Sequence, residues 1–232
     1  MKRIGIIGAM EVEVANLKQA MKNEKIIRKA SVEFYEGEIA GKEVVIARSG
    51  VGKVNAAICA QIMIDLFGID ILLNTGIAGS LSAQIDIGDI VLSTDVLHHD
   101  MDAVGFGYPR GQIPQMQEFS FPADAALRSL AEEVCCRVNP DIRVHQGRIV
   151  SGDQFVSDQK VKEDIVHTFG GFAVEMEGAA IGQTAYVNGI PFLIIRAISD
   201  KADGSAHMDY PVFEAKAAQH STNLTLGLIG RL

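Results

Sequence analysis

The 232-residue chain is long enough for one domain, or at most two, and its 48% hydrophobic and 22% charged residues exclude a disordered composition. A formal net charge of -8 without basic clusters argues against polyanion partners, so neither nucleic acid nor an anionic membrane surface is expected. Cys59, Cys135 and Cys136 are odd in number, include an adjacent pair that cannot easily bridge, and lack metal-ligand spacing; they read as reduced thiols of a cytoplasmic protein.

Ile4 to Ile7 is a short apolar run, as expected of a strand buried on both faces. Lys2 and Arg3 precede it, but Glu11 and Glu13 end it too soon for a signal peptide. Glu11 to Met21 reads as a helix. Val32 to Ile39 and Lys42 to Arg48 alternate as a hairpin around Ala40-Gly41. Lys53 to Phe67 is a helix with an apolar stripe of Val54, Ile58, Ile62 and Leu66 at i, i+4 spacing. Ile71 to Leu73 and Asp89 to Val96 are buried strands. Residues 97–122 carry Gly105, Gly107, Pro109, Gly111, Pro114 and Pro122 without periodicity, and a loop of that length is expected to be a lid or interface element. Ala123 to Cys136 is then a helix, Val144 to Ser151 a strand, and Lys160 to Thr168 a short helix. Ala173 to Glu175, Gly178 to Val187 and Phe192 to Ala197 give strand, helix, strand, and Val212 to Leu228 is a closing helix. No apolar run reaches membrane-spanning length. The pattern predicts one α/β domain over residues 1–232, a central mixed β-sheet flanked by helices.

Ligands of open α/β sheets bind beyond the carboxyl ends of the strands. The residues just past each predicted strand are therefore informative: Gly8, Met10 and Glu13; Ser49-Gly50-Val51-Gly52; Asn74-Thr75-Gly76-Ile77-Ala78-Gly79; Ser151-Gly152-Asp153-Gln154-Phe155; Glu175-Met176-Glu177-Gly178; and Arg196 to Asp203. Glu13, Glu177 and Asp200 converge as candidate acids of one rim. Singly, each has a plainer reading: Glu13 and Glu177 as first-turn helix residues and Asp200 as a loop or capping residue.

Gly50-Val51-Gly52-Lys53 does not make a phosphate loop, because Ala47 and Val54 stand where a glycine and a Ser/Thr are required. It reads as a tight turn into a helix whose amides face a ligand. His98-His99-Asp100 is the one histidine cluster, and neighbouring strand residues point apart, so no metal is expected. Nor does the chain contain a nucleophile elbow.

These exits, with Ile4-Gly5-Ile6-Ile7-Gly8-Ala9-Met10-Glu11-Val12-Glu13, Phe106-Gly107-Tyr108, Val150-Ser151-Gly152-Asp153, Val174-Glu175-Met176-Glu177 and Arg196-Ala197-Ile198-Ser199-Asp200, keep an order and spacing that resemble the 5′-methylthioadenosine/S-adenosylhomocysteine nucleosidases of the nucleoside phosphorylase superfamily. The resemblance implies hydrolysis of the N-glycosidic bond of a 5′-thio adenine nucleoside without a cofactor. Glu13 would activate water, Asp200 would protonate adenine N7, and Arg196 would help arrange water and carboxylates. Glu177 and the Met176 backbone would hold the ribose hydroxyls. Phe155 would stack on adenine, with Val156 and Ser199 beside the base. Met10, Val51 and Tyr210 would line the sugar and 5′ pocket. Phe106, Tyr108 and Pro114 would reach across a homodimer interface built by loop 97–122. Ile77 departs from the serine of many relatives, which puts the water network or the 5′ preference in question.

Adenine is a poor leaving group as an anion, so this chemistry needs a proton donor on the base and negative charge near a cationic sugar, and two carboxylates in different protonation states supply both. The competing readings are a futalosine hydrolase, a phosphate-using purine nucleoside phosphorylase, and a non-catalytic nucleoside-binding module. Glu13 and Ile77 would repel or fail to bind an anion such as phosphate.

Overall fold

Residues 2–232 are described in a computed structural model. In chain order the elements are β1 (Ile4–Gly8), α1 (Glu11–Gln19), β2 (Lys22–Lys29), β3 (Val32–Ile39), β4 (Lys42–Arg48), α2 (Lys53–Phe67), β5 (Ile71–Ser80), β6 (Ile90–His98), β7 (Phe121–Pro122), α3 (Ala125–Val138), β8 (Val144–Ser151), α4 (Gln159–Phe169), β9 (Ala173–Glu175), α5 (Gly178–Val187), β10 (Phe192–Asp200) and α6 (Ala206–Ile229). The architecture is α/β with a mixed sheet, as expected.

The sheet has a feature that composition does not announce. Its strands run β10-β6-β8-β9-β5-β1-β4-β3-β2, and β10 also pairs with β5. Five strands therefore close on themselves as a ring, and β1, β4, β3 and β2 extend from it as an open limb. Within the ring, β5–β10, β6–β8 and β8–β9 are parallel, while β6–β10 and β5–β9 are antiparallel. Ring closure shields the inward face of its strands and α5 and α6 pack on the outward face of β5 and β10, which explains why all ten residues of β5 and all nine of β10 are buried.

Two strands are longer than their apolar runs predict. Asn74 to Gly79 has the composition of a loop but continues β5, and Ile198 to Asp200 continue β10 beyond the expected Ala197. Polar residues can lie inside because their groups are partnered: Asn74 donates to the Ile7 carbonyl at 2.8 Å, and the Thr75 and Ser221 hydroxyls meet at 2.7 Å. The last bond also pins α6 to β5. β2, which no periodicity marks in the sequence, is an exposed edge strand with one half-buried residue, Ile27.

α6 starts at Ala206, one turn and more before the predicted Val212, and carries Pro211 within it. A proline there removes only one bond close to the helix start, so helix persists on both sides. The stripe Val54, Ile58 and Leu66 of α2 faces outward, with Val54 68% exposed, while Ala56, Cys59, Ala60, Met63 and Phe67 turn inward. α2 is apolar around most of its girth, and it packs against α5. Loop 97–122 holds a short 3₁₀ turn at Val104–Phe106 and the two-residue β7, which pairs with β6. No helix among the described residues is long and apolar enough to cross a membrane.

Candidate active site

The strand register assembles the site. On β10, Arg196 pairs with Gly76 and Asp200 with Gly79 of β5, and Gly79 pairs in turn with Val174 of β9. The pairing slips between Ile198 and Asp200, so Ser199 is an extra residue opposite β5. Such a bulge re-aims the following side chain, and both Ser199 and Asp200 consequently line one cavity.

That cavity, about 350 Å3, also takes Met10, Glu13, Val51, Ile77, Phe155, Met176, Glu177 and Tyr210 in its wall. All are residues that the sequence singles out. A small recess bordered by Phe155, Val156 and Asp200 opens from one end. At the other, Met10 and Val51 border a more polar groove. Arg196 lies behind the wall, 2% exposed. Phe106, Tyr108 and Pro114 do not line the cavity of their own chain; Phe106 is 87% exposed. His207, Pro211 and Glu175 complete the wall, and sequence reasoning gives none of them a role. The early start of α6 brings in the first two.

Glu13 sits in the first turn of α1 and also lines the cavity. Its Oε2 accepts the Ala9 and Met10 amides at 2.7 and 2.9 Å, capping its own helix, and its Oε1 accepts the Ile77 amide at 3.1 Å. Burial pushes its pKa up, opposed by Arg196 and these three amides. Because Ile77 contributes its backbone N–H, the replacement of serine by isoleucine leaves this bond intact.

Arg196 is held mainly by Glu175. Its Nε donates to Glu175 Oε2 at 3.2 Å, Nη2 donates to the same oxygen, and Nη2 also reaches Asn74 Oδ1 at 2.6 Å. Glu177 stands farther off, at 4.0 Å. Glu175 accepts from the Ser151 hydroxyl and from the Gly178 amide, the latter at 2.7 Å. Burial opposes the Glu175 charge, but Arg196 and these donors keep its pKa below the usual value. Glu177 accepts the Gly52 amide at 2.8 Å, and burial together with the Glu175 charge pushes its pKa up to about 8. One arginine shared unequally by two carboxylates thus favours the charged form of Glu175, its closer partner, and the protonated form of Glu177.

Asp200 is buried, which raises its pKa against the Ala202 amide at 2.8 Å and the Ser199 hydroxyl at 2.9 Å. Phe155 stands edge-on to Tyr210, ring centres 5.8 Å apart. The turn before α2 has φ of 85° at Gly50 and 98° at Gly52, a region glycine enters readily. Two of its amides are already taken, Gly52 by Glu177 and Lys53 by Asp153, both at 2.8 Å. The histidine cluster disperses: His98 meets Gln183 at 2.9 Å, and Asp100 meets Lys53 at 2.6 Å. The wall therefore brings two carboxyl groups of raised proton affinity, Glu13 and Asp200, and the Phe155 ring around one space.

The family model of the phosphorylase superfamily matches residues 3–230. A 5′-methylthioadenosine/S-adenosylhomocysteine nucleosidase of an Exiguobacterium species is 44% identical over 231 residues, covering 99% of this chain and 98% of the relative. The crystal structure of the nucleosidase of that name from Neisseria meningitidis, in complex with methylthio-immucillin-A, has a TM-score of 0.96 at 41% identity and full coverage of both chains. The futalosine hydrolase of Helicobacter pylori has a TM-score of 0.94 at 34% identity, over 100% of this chain and 98% of that one. Identity of this extent along essentially the whole length means that the chain belongs to the phosphorylase superfamily, in its family of 5′-methylthioadenosine/S-adenosylhomocysteine nucleosidases.

Proposed function

We propose that residues 1–232 form one nucleosidase domain that hydrolyses the N-glycosidic bond of 5′-methylthioadenosine and S-adenosylhomocysteine, releasing adenine and the 5-thioribose product. The observation that carries this reading is the placement of Asp200 and Glu13, both with raised proton affinity, in the wall of one apolar cavity. Asp200 gives its proton to adenine N7 as the electrons of the glycosidic bond pass to the base. Water attacks the anomeric carbon and loses its proton to Glu13. Ser199 orients Asp200. Phe155 stacks on the base, with the Val156 backbone beside it. Glu177 and the Met176 backbone hold the ribose hydroxyls. Arg196, neutralised chiefly by Glu175, fixes the carboxylates rather than touching substrate. Met10, Val51, Ile77 and Tyr210 enclose the sugar and the 5′ substituent.

Two copies of the chain form the working unit. Val54, Ile58 and Leu66 present an apolar face on α2, and this face starts beside Val51 at the cavity mouth. A second copy seated there would bring Phe106, Tyr108 and Pro114 of loop 97–122 against that mouth. The free thiols of Cys59, Cys135 and Cys136 suit a reducing cytoplasm.

A phosphate-using reaction is disfavoured because Glu13 carries negative charge into the space a phosphate would need, and the Gly52 and Lys53 amides of the nearest turn are spent on Glu177 and Asp153. The test is adenine release from 5′-methylthioadenosine with and without phosphate, the sugar product being identified by mass spectrometry. Release without phosphate, giving free methylthioribose, is expected. Strict dependence on phosphate, with a sugar phosphate as product, would overturn the hydrolase assignment. Turnover of futalosine alone would move the chain to that sister activity.

A further inference from the structure

The apolar cavity is continued by a groove of different character. This groove, about 390 Å3, shares Met10 and Val51 with the cavity and adds Glu11, Ser31, Arg48 and Ser49. Because Asp200 and the base recess lie toward the other end, the groove meets the cavity where the 5′ substituent would emerge. A methylthio group would end there. The homocysteine of S-adenosylhomocysteine would continue by two methylene groups to an ammonium and a carboxylate.

The charges around the groove are unequally engaged. Lys18 Nζ lies 2.9 Å from both oxygens of Glu11, and Arg28 lies 2.6 Å from Glu33. Arg48, at the end of β4, has only a long contact of 3.9 Å with Glu11 among the described residues, and its side chain is 58% exposed. Its guanidinium fork is therefore available to a planar anion, and such a fork suits a carboxylate in two-pronged contact.

Resting on the proposed nucleosidase function, we infer that this groove is a second subsite that receives the amino-acid end of S-adenosylhomocysteine, with Arg48 pairing its carboxylate. Met10 and Val51 form the threshold between the two compartments. The subsite makes the chain discriminate between its two substrates by charge at the far end of the 5′ group, without altering the chemistry at the anomeric carbon.

The test compares kcat/KM for S-adenosylhomocysteine with that for 5′-methylthioadenosine, in the wild type and in Arg48→Gln. An exposed charge pair contributes little, so the ratio should fall about fivefold, through KM for S-adenosylhomocysteine with kcat unmoved. Added salt should lower the wild-type ratio in the same sense. The decarboxylated analogue of S-adenosylhomocysteine keeps the ammonium but lacks the carboxylate, so its efficiency relative to 5′-methylthioadenosine should not respond to Arg48→Gln. An unchanged ratio, or an equal loss with the decarboxylated analogue, would overturn the subsite while leaving hydrolysis standing. Failure of the wild type to release adenine from either substrate would overturn the nucleosidase reading and the subsite with it.

Discussion

A single methyl group at Gly76 should separate the geometry of the acids from the stability of the fold. Gly76 lies on β5 opposite Arg196, and a Cβ there would fall 2.6 Å from Glu13 Oε1 and 2.9 Å from Arg196 Nη1. Ordinary contact begins near 3.4 Å, so the Glu13 oxygen must retreat by ~0.8 Å. It cannot do so freely, because the carboxylate is tied to three amides, and the Ile77 amide is bound through that same oxygen. Misplacing a reacting group by about 1 Å costs on the order of 10²-fold. Overpacking a tight site costs about 1–3 kcal/mol. Gly76→Ala should therefore lower kcat for 5′-methylthioadenosine roughly 10²-fold and lower Tm by about 2–12 °C. Gly204→Ala, whose Cβ meets nothing within 4 Å, is the control and should change neither. Steady-state kinetics and thermal melts read the two effects separately. If Gly76→Ala kept kcat within about threefold and melted normally, the crowding between Glu13 and Arg196 would not govern the position of the base.

Asp200→Asn should lose about 10²- to 10⁴-fold in turnover while still binding the nucleoside, since the amide keeps the shape and loses the transferable proton; near-normal turnover would remove Asp200 from the role of acid. Glu177, lifted from 4.5 to about 8, favours folding fully below pH 4.5, and that contribution is lost as pH rises through about 8. Urea titrations should accordingly show wild-type stability declining across this window more steeply than that of Glu177→Gln, and equal slopes would mean that Glu177 does not carry the proton. Glu175→Gln should cost about 3–5 kcal/mol, because it strands the buried Arg196 guanidinium without its main partner; a loss under 1 kcal/mol by the same titration would show that Glu177 takes over the ion pair.

Sequence periodicity locates the β3–β4 hairpin, β8, β9 and α5 closely, because each follows a simple local rule. It fails where tertiary context overrides local preference. Asn74, Thr75 and Gly76 look like a loop, yet they lie inside β5 because β1, β10 and α6 supply partners for the polar side chains. β2 is invisible to it because an edge strand buries almost nothing and so shows little alternation. The stripe on α2 is visible, but spacing alone does not say which side of an apolar helix meets the core. Glu13, Glu177 and Asp200 are legible as acids after strands, and the cavity brings them together. Glu175 carries the strongest hold on Arg196, yet its sequence signal, an acid two positions before Glu177, does not say which of the two takes the ion pair. The Phe106, Tyr108 and Pro114 positions lie outside the cavity of their own chain, so their part belongs to the proposed pair of subunits.

Closure of the ring has a consequence for how the protein avoids its own kind. A strand that pairs on both sides offers nothing for another chain to add to, so β10 and β6 are sealed against fibrous growth. The exposed flank that remains is β2, and there Lys22, Glu24, Lys25, Arg28 and Lys29 place charge along nearly its whole length. Desolvating that row to stack a neighbour would be costly, and the shift in its pairing between Lys22 and Lys25 breaks the regular template further. Self-association is thereby steered away from backbone pairing and toward side-chain surfaces, where geometry can limit it to a closed number of copies.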